Sequence, residues 1–307
     1  IFNMLPNFLE LNLILILLSL IILNLIVLHF WNIISKLLNI LDFPNERKIH
    51  TIPTPLVGGI CLFITILIST TIIFFEETIS LNKYLVLILL CLIFFIIGLW
   101  DDSKTISPKI RTFVLISSLI FIIPFENDFI VKNLIFKSVD TNINLGSFSL
   151  LFTFFCIFSL YNALNFIDGY NGSATSIIIF WTIILLIYNP NFLYFSLAIN
   201  LIIIFFYNLN GKIFLGNSGT SIGSIFFALF FINDYNKYGL IYADEILLIM
   251  LFPGIDMIRV TFERILNGKK IYKADNTHFH HYLIKKKNKY IWQLMFAFTV
   301  CPILIFN

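Results

Sequence analysis

Charged side chains are what this chain has least of. Asp, Glu, Lys and Arg make up 12% of its 307 residues, against 59% hydrophobic residues. Its mean hydropathy is +0.94. A soluble domain of this length covers its surface with charge, commonly about a quarter of its residues. A soluble fold is therefore excluded, and an integral membrane protein is expected. Patterned cysteine is missing as well: Cys61, Cys91, Cys156 and Cys301 lie singly in apolar stretches with no CxxC spacing. That excludes a disulfide framework and a thiolate metal site. No Lys or Arg precedes Lys36, so the basic start of a signal peptide is lacking and the first apolar run is expected to be a retained span. A net charge of +3 is too small to argue for nucleic acid. Alanine is scarce while Phe (36 residues), Ile and Asn abound, a bias that coding preference alone produces, so the phenylalanines are given no cofactor role. No soluble domain, low-complexity linker or internal repeat interrupts the chain. It is expected to be one membrane domain over residues 1–307 and, opening on Ile1 and ending inside an apolar run, part of a longer chain.

Spanning helices need about 20 mostly apolar residues. About ten stretches approach this: 11–31, 56–75, 84–100, 112–125, 148–162, 174–188, 191–207, 220–232, 245–258 and 290–307. The expected fold is all-α and polytopic. If the chain crosses at each stretch, the loops after even-numbered spans hold only Lys83, Lys132, Lys137 and Lys237, and the other 16 of the 20 basic residues fall on the opposite side. By the positive-inside rule that side is cytoplasmic, and both chain ends face outward. The distinctive polar sequences fall there too.

Asp101-Asp102 closes the apolar run from Leu85 to Trp100. Carboxylates at a membrane surface suit a divalent cation, although a solvated helix end gives the same pattern. The first basic loop carries Arg47, Lys48 and His50, then Pro53, Pro55 and Gly58-Gly59. Cations beside stiff, close-approach backbone suit phosphate, and equally suit a membrane anchor. Asn162, Asn165 and Asp168 recur every third residue as a slowly winding polar stripe, followed by Gly169 and Gly172. Such a stripe can hold a cation or the polar edge of a nucleotide, or simply glue helices together. Gly216-Asn217-Ser218-Gly219 opens the eighth span, where exposed N–H groups attract anions or are capped by a side chain. In the last basic loop, Asp275, His278, His280 and His281 stand among nine Lys/Arg between Arg259 and Tyr290. That charge favours an anionic ligand over zinc. The Lys285-Lys286-Lys287 run reads as lipid-surface anchoring.

In this order, from about Asp42 to Leu283, these five stretches resemble the polyprenyl-phosphate N-acetylhexosamine-1-phosphate transferases. The Arg-Lys-x-His-x-x-Pro-x-Pro loop and the Asp-x-x-His-x-His-His motif look like the O-antigen and teichoic-acid branch more than the peptidoglycan branch. The resemblance implies transfer of a sugar 1-phosphate from a UDP-N-acetylhexosamine to polyprenyl (undecaprenyl) phosphate, releasing UMP. It implies Mg²⁺, a bacterial-type inner membrane with the active face cytoplasmic, and a homodimer as an expected assembly. It assigns catalysis to Asp101, Asp102 and Asp168, the metal to Asp102, Asn162 and Asn217, and substrate binding to Arg47, Lys48, His50, Asn165, His278, His280 and His281. The sequence departs from the family twice: Asn171 stands where many members have an aspartate, and Asn217 where the family has a metal-ligating one. The second departure raises the alternative of a weakened relative that binds nucleotide-sugar or lipid phosphate. A transporter would instead place its polar groups along the bilayer midplane.

Overall fold

The computed structural model describes residues 11–44, 51–239, 241–270, 277–286 and 290–306. It is a helical bundle. Among the described residues, six segments are long and apolar enough to cross a membrane. They are α1 (Leu11–His29), α3 (Gly58–Phe75), α4 (Leu81–Ser103), α5 (Pro108–Ile122, continued by a 3-10 turn to Phe125), α6 (Ser149–Ile167) and α8 (Phe192–Leu209). Short α2 (Trp31–Leu37) follows α1. Two small antiparallel hairpins decorate the bundle: β1 (Leu41–Asp42) pairs with β2 (Thr54–Pro55), and β3 (Asn133–Phe136) with β4 (Thr141–Asn144).

The remaining four expected spans are built differently. Two are shorter apolar helices, α7 (Ser173–Tyr188) and α13 (Ile291–Phe306). The eighth becomes α9 (Gly216–Tyr238), 23 residues long but rich in Gly, Ser and Asn. The ninth is broken at Met250 into α10 (Ala243–Ile249) and α11 (Leu251–Leu266). Pro253 explains the break. It lacks the N–H that would bond the Ile249 carbonyl, and its ring would strike that carbonyl in a continuous helix, whereas a first-turn proline is tolerated.

Helix α9 is the hub, packed on α3, α4, α6 and α7. Every residue from Ser218 to Tyr235 is buried. A helix wrapped by others never meets lipid, so it needs no apolar face. Its small residues admit neighbouring backbones instead. A Cβ on Gly59 of α3 would lie 2.4 Å from the Gly219 nitrogen, and one on Gly98 of α4 would lie 2.5 Å from the Asn217 carbonyl oxygen. Helix α11 shows the bilayer from the other side. Its exposed stripe is Ile255, Ile258, Phe262 and Ile265, while Asp256 and Arg264 are buried. That is the reverse of a soluble amphipathic helix. Within the span region, the Asn24 amide of α1 donates to Asn200 Oδ1 of α8 (2.7 Å) and Thr65 Oγ1 of α3 (2.8 Å), which ties three helices together where water is absent.

Candidate active site

The C-terminal ends of α4, α6 and α8 and the N-terminal ends of α3 and α9 converge on one polar cavity of about 470 Å³. Asp42, Asp102 and Asp168 line it with the amides of Asn165, Asn171, Asn208 and Asn217, the imidazoles of His280 and His281, and apolar Leu56 and Phe214.

Asp102 is held by the start of α9. Its Oδ1 accepts the Asn217 N–H (2.8 Å), and its Oδ2 accepts the Ser218 N–H (2.9 Å) and hydroxyl (2.7 Å). A carboxylate on a helix N-terminus meets unpaired donors and the positive end of the macrodipole. The α9 N-terminus thus takes an anion supplied by the protein's own α4. Gly216, at φ +76°, permits the approach, since a Cβ there would sit 2.7 Å from Asp102 Oδ2. Gly58 and Gly59, expected to approach a phosphate, are used otherwise. Their N–H groups donate to the carbonyls of Phe214 (3.0 Å) and Leu215 (2.9 Å), which locks α3 to the loop that feeds α9.

Asp101 departs from expectation. Successive helical residues point about 100° apart, so only one of the pair can face α9. The Asp101 carboxylate turns to α5, pairing with Arg111 Nη1 (2.6 Å) and accepting the Ile106 N–H (2.8 Å); it is not among the cavity-lining residues. Asn162 departs likewise, because its amide donates back to the Phe158 carbonyl of its own helix (2.7 Å) and lies outside the lining. The winding stripe delivers Asn165 and Asp168 but carries Asn162 off the cavity face. Asn165 Nδ2 donates to Asn217 Oδ1 at 2.9 Å, so Asn217 ties α9 to α6. Arg47, Lys48 and His50 lie outside the described residues, as does Asp275. The strands flanking the first basic loop are paired, Asp42 opposite Thr54, which puts Asp42 in the cavity wall.

Asp168 follows the end of α6. Burial, with the nearby carboxylates of Asp102 and Asp42, pushes it from its ordinary 3.8 up to about 7. The turn after it is organised by Asn208 of α8, whose Oδ1 accepts the Gly172 N–H (2.8 Å) and whose Nδ2 donates to the Ile213 carbonyl (3.0 Å). Helix α12 (Phe279–Lys285) closes the cavity with His280 and His281. His280 is 2% exposed, and neither of its ring nitrogens has a hydrogen-bond partner among the described residues. Burial, with the adjoining His281 and His278, lowers it to about 3, so the ring stands neutral. It lies directly on Gly169, where a Cβ would come within 2.1 Å of its Nε2. An unpaired buried imidazole on a cavity wall is costly unless a ligand completes it. His278 sits behind this wall, against Phe166 and outside the lining.

Asp42 and Asn208 were missed from sequence. Asp42 had a signal, since it opens the basic stretch at the end of an apolar run. Asn208 had none beyond being an amide at a helix end.

Fold and site together define a multi-pass membrane protein with a cavity of carboxylates, amides and imidazoles at one end of its bundle. The family model described as "Glycosyl transferase family 4" matches residues 84–234, and that match together with the following relatives supports this family for the chain. It is 26% identical over 284 residues to the undecaprenyl-phosphate alpha-N-acetylglucosaminyl 1-phosphate transferase of Escherichia coli O157:H7, covering 88% of this chain and 76% of the relative. It is 25% identical over 268 residues to the probable undecaprenyl-phosphate N-acetylglucosaminyl 1-phosphate transferase of Bacillus subtilis (80% and 70% covered). It is 22% identical over 318 residues to the decaprenyl-phosphate N-acetylglucosaminephosphotransferase of Mycobacterium leprae (90% and 79%).

Proposed function

We propose that this chain transfers an N-acetylhexosamine 1-phosphate from its UDP conjugate to polyprenyl phosphate, releasing UMP, as the first membrane step of an envelope polysaccharide. The observation that carries the reading is the cavity at the ends of the apolar helices, lined by Asp42, Asp102, Asp168 and a His280 that has no hydrogen-bond partner among the described residues. There a lipid phosphate held in the bilayer and a nucleotide-sugar from water can meet. One phosphate oxygen of the lipid attacks the sugar-bearing phosphorus, and the bond to the UMP oxygen breaks. Such a step needs alignment and charge neutralisation more than a strong base.

Mg²⁺ fits the donor set. Among the described residues no three His, Cys, Asp or Glu side chains form a metal site on their own, and Mg²⁺ commonly uses one or two carboxylates with waters and substrate phosphates. Asp168 and Asp42 would hold it, with Asp102, whose oxygens already serve α9, adding charge. The ion would neutralise the diphosphate. Asn165 and Asn171 would take polar edges of the nucleotide, and His280 and His281 the sugar phosphate. Arg47, Lys48 and His50 would reach the phosphates from the first basic loop. Asn217 is no gap in this site, because it joins α6 to α9 and three carboxylates remain. We further read the whole chain as one domain of ten spans, with α10 and α11 as a bent ninth, and the cavity as facing the cytoplasm of a bacterial inner membrane. The 16-to-4 division of basic residues supports that orientation.

The test is purified full chain with undecaprenyl phosphate, Mg²⁺ and a panel of UDP-sugars, following UMP release and product mass. The parent should release UMP, and Asp102→Asn should abolish it. No UMP from the parent with any UDP-sugar refutes the proposal.

A further inference from the structure

Asp256 is a buried carboxylate on a helix whose other face is turned to lipid; it is 4% exposed and lies outside the cavity lining. A carboxylate so placed is costly unless it is fully engaged. Its Oδ1 accepts Arg259 Nη2 at 2.7 Å and the Phe279 N–H, at the first position of α12, at 3.2 Å. Its Oδ2 lies 3.4 Å from His278 Nδ1, an ion-pair distance without hydrogen-bond alignment, since Nδ1 has no hydrogen-bond partner among the described residues. The other nitrogen of that ring, Nε2, faces Arg264 Nη2 at 3.4 Å. A guanidinium only donates, so Nε2 must accept and the proton belongs on Nδ1, toward Asp256. His278 thus stands between Asp256 and Arg264 and is braced edge-on by Phe166, with ring centroids 4.8 Å apart. His280 lies parallel to it, at 5.6 Å and 2°, and rests on Gly169, the residue after Asp168.

We propose that Asp256 is the positioning residue of the histidine wall: one oxygen pins the start of α12, the charge of the other favours the His278 tautomer protonated at Nδ1, and His280 is thereby held against Gly169 facing the cavity. Asp256 touches no substrate in this arrangement. The inference rests on the reading of the cavity as the transfer site, with the histidines on the UDP-sugar side.

The experiment compares the full-length parent with Asp256→Asn and Asp256→Glu in detergent or nanodiscs. Asp256→Asn keeps the size and loses the charge that selects the tautomer. A misplacement near 1 Å at a reacting site costs on the order of 10²-fold. For Asp256→Asn a fall in kcat/KM of that order is expected, carried by KM for the UDP-sugar. KM for polyprenyl phosphate should stay within about twofold and Tm should hold. Asp256→Glu, which keeps the carboxylate, should recover most of the loss. Carbethoxylation of His280 by diethylpyrocarbonate, read by mass spectrometry, should be several-fold faster in Asp256→Asn than in the parent. Unchanged kinetics with unchanged His280 modification overturns the proposal. Equal losses for both substrates with a lowered Tm, showing a structural role only, overturn it as well. If the parent releases no UMP, the transfer reading fails by itself, and the His280 modification rate decides whether Asp256 positions the wall.

Discussion

Gly98→Ala is a one-methyl change outside every motif, and it should disable the site. The added Cβ would lie 2.5 Å from both the Asn217 carbonyl oxygen and Ser218 Cα, and 2.7 Å from the Ser218 nitrogen. All three are backbone atoms of a buried helix, so no side chain can swing aside. Restoring ordinary contact moves α4 from α9 by about 0.9 Å. Asp102 lies one turn further along α4, on the same face. Its three hydrogen bonds, now 2.7–2.9 Å, would stretch beyond the useful range of about 3.2 Å. Overpacking of this kind costs about 1–3 kcal/mol of stability. A shift near 1 Å at the carboxylate costs on the order of 10²-fold in kcat/KM, about 2.7 kcal/mol of transition-state stabilisation. The assay is UMP release beside a thermal melt of the purified chain. Gly254→Ala is the control, because a Cβ on Gly254 meets nothing within 4 Å; its Tm should match or exceed the parent's. Full activity in Gly98→Ala would refute the argument that α4–α9 contact sets the geometry of Asp102.

Three further outcomes are expected. Asp168 is raised in the folded protein from 3.8 to about 7, so its contribution to stability is full below the lower value and is lost as pH rises through the upper one. The Tm of Asp168→Asn, relative to the parent without added Mg²⁺, should therefore climb between about pH 4 and pH 7; a flat difference across that window would show the carboxylate to be unperturbed. Asn217→Asp adds a negative charge at the cavity and should lower the Mg²⁺ concentration for half-maximal UMP release several-fold, with maximal turnover changed far less. Turnover seen only in that variant would mark the parent as a weakened relative. Asp101→Asn and Arg111→Ala break one largely buried pair, so each should lower Tm, and the double variant should melt no lower than the worse single; additive losses would show the pair to be uncoupled.

Much of the architecture was legible because lipid imposes simple rules. Apolar runs had to be helices, and their polar ends had to lie near water. Asp102, Asn165, Asp168, Asn217, His280 and His281 were singled out by their motifs and by the resemblance those motifs carry, and the structure gathers them on one cavity. Asp101 and Asn162 were not separable from them by pattern, since spacing alone does not say which face of a helix meets α9. Helix α9 itself reads as a modest span, because its small polar residues lower hydropathy for the very reason that it sits at the centre. Gly59 and Gly98 carry meaning only through the backbones they admit. Asp256, one acidic residue beside a basic loop, gave no hint that it braces His278.

The sequence alone determined that this chain lives in a membrane, that its chemistry-bearing residues cluster at helix ends, and which family it resembles. Those properties follow from composition and order, because transfer into lipid depends on each residue's own polarity. Tertiary structure decided which carboxylate of an adjacent pair enters the cavity, what fills the α9 N-terminus, and what holds the histidines in place. Those are properties of helix rotation and approach distance, set by packing between segments far apart in the chain. No local pattern encodes them.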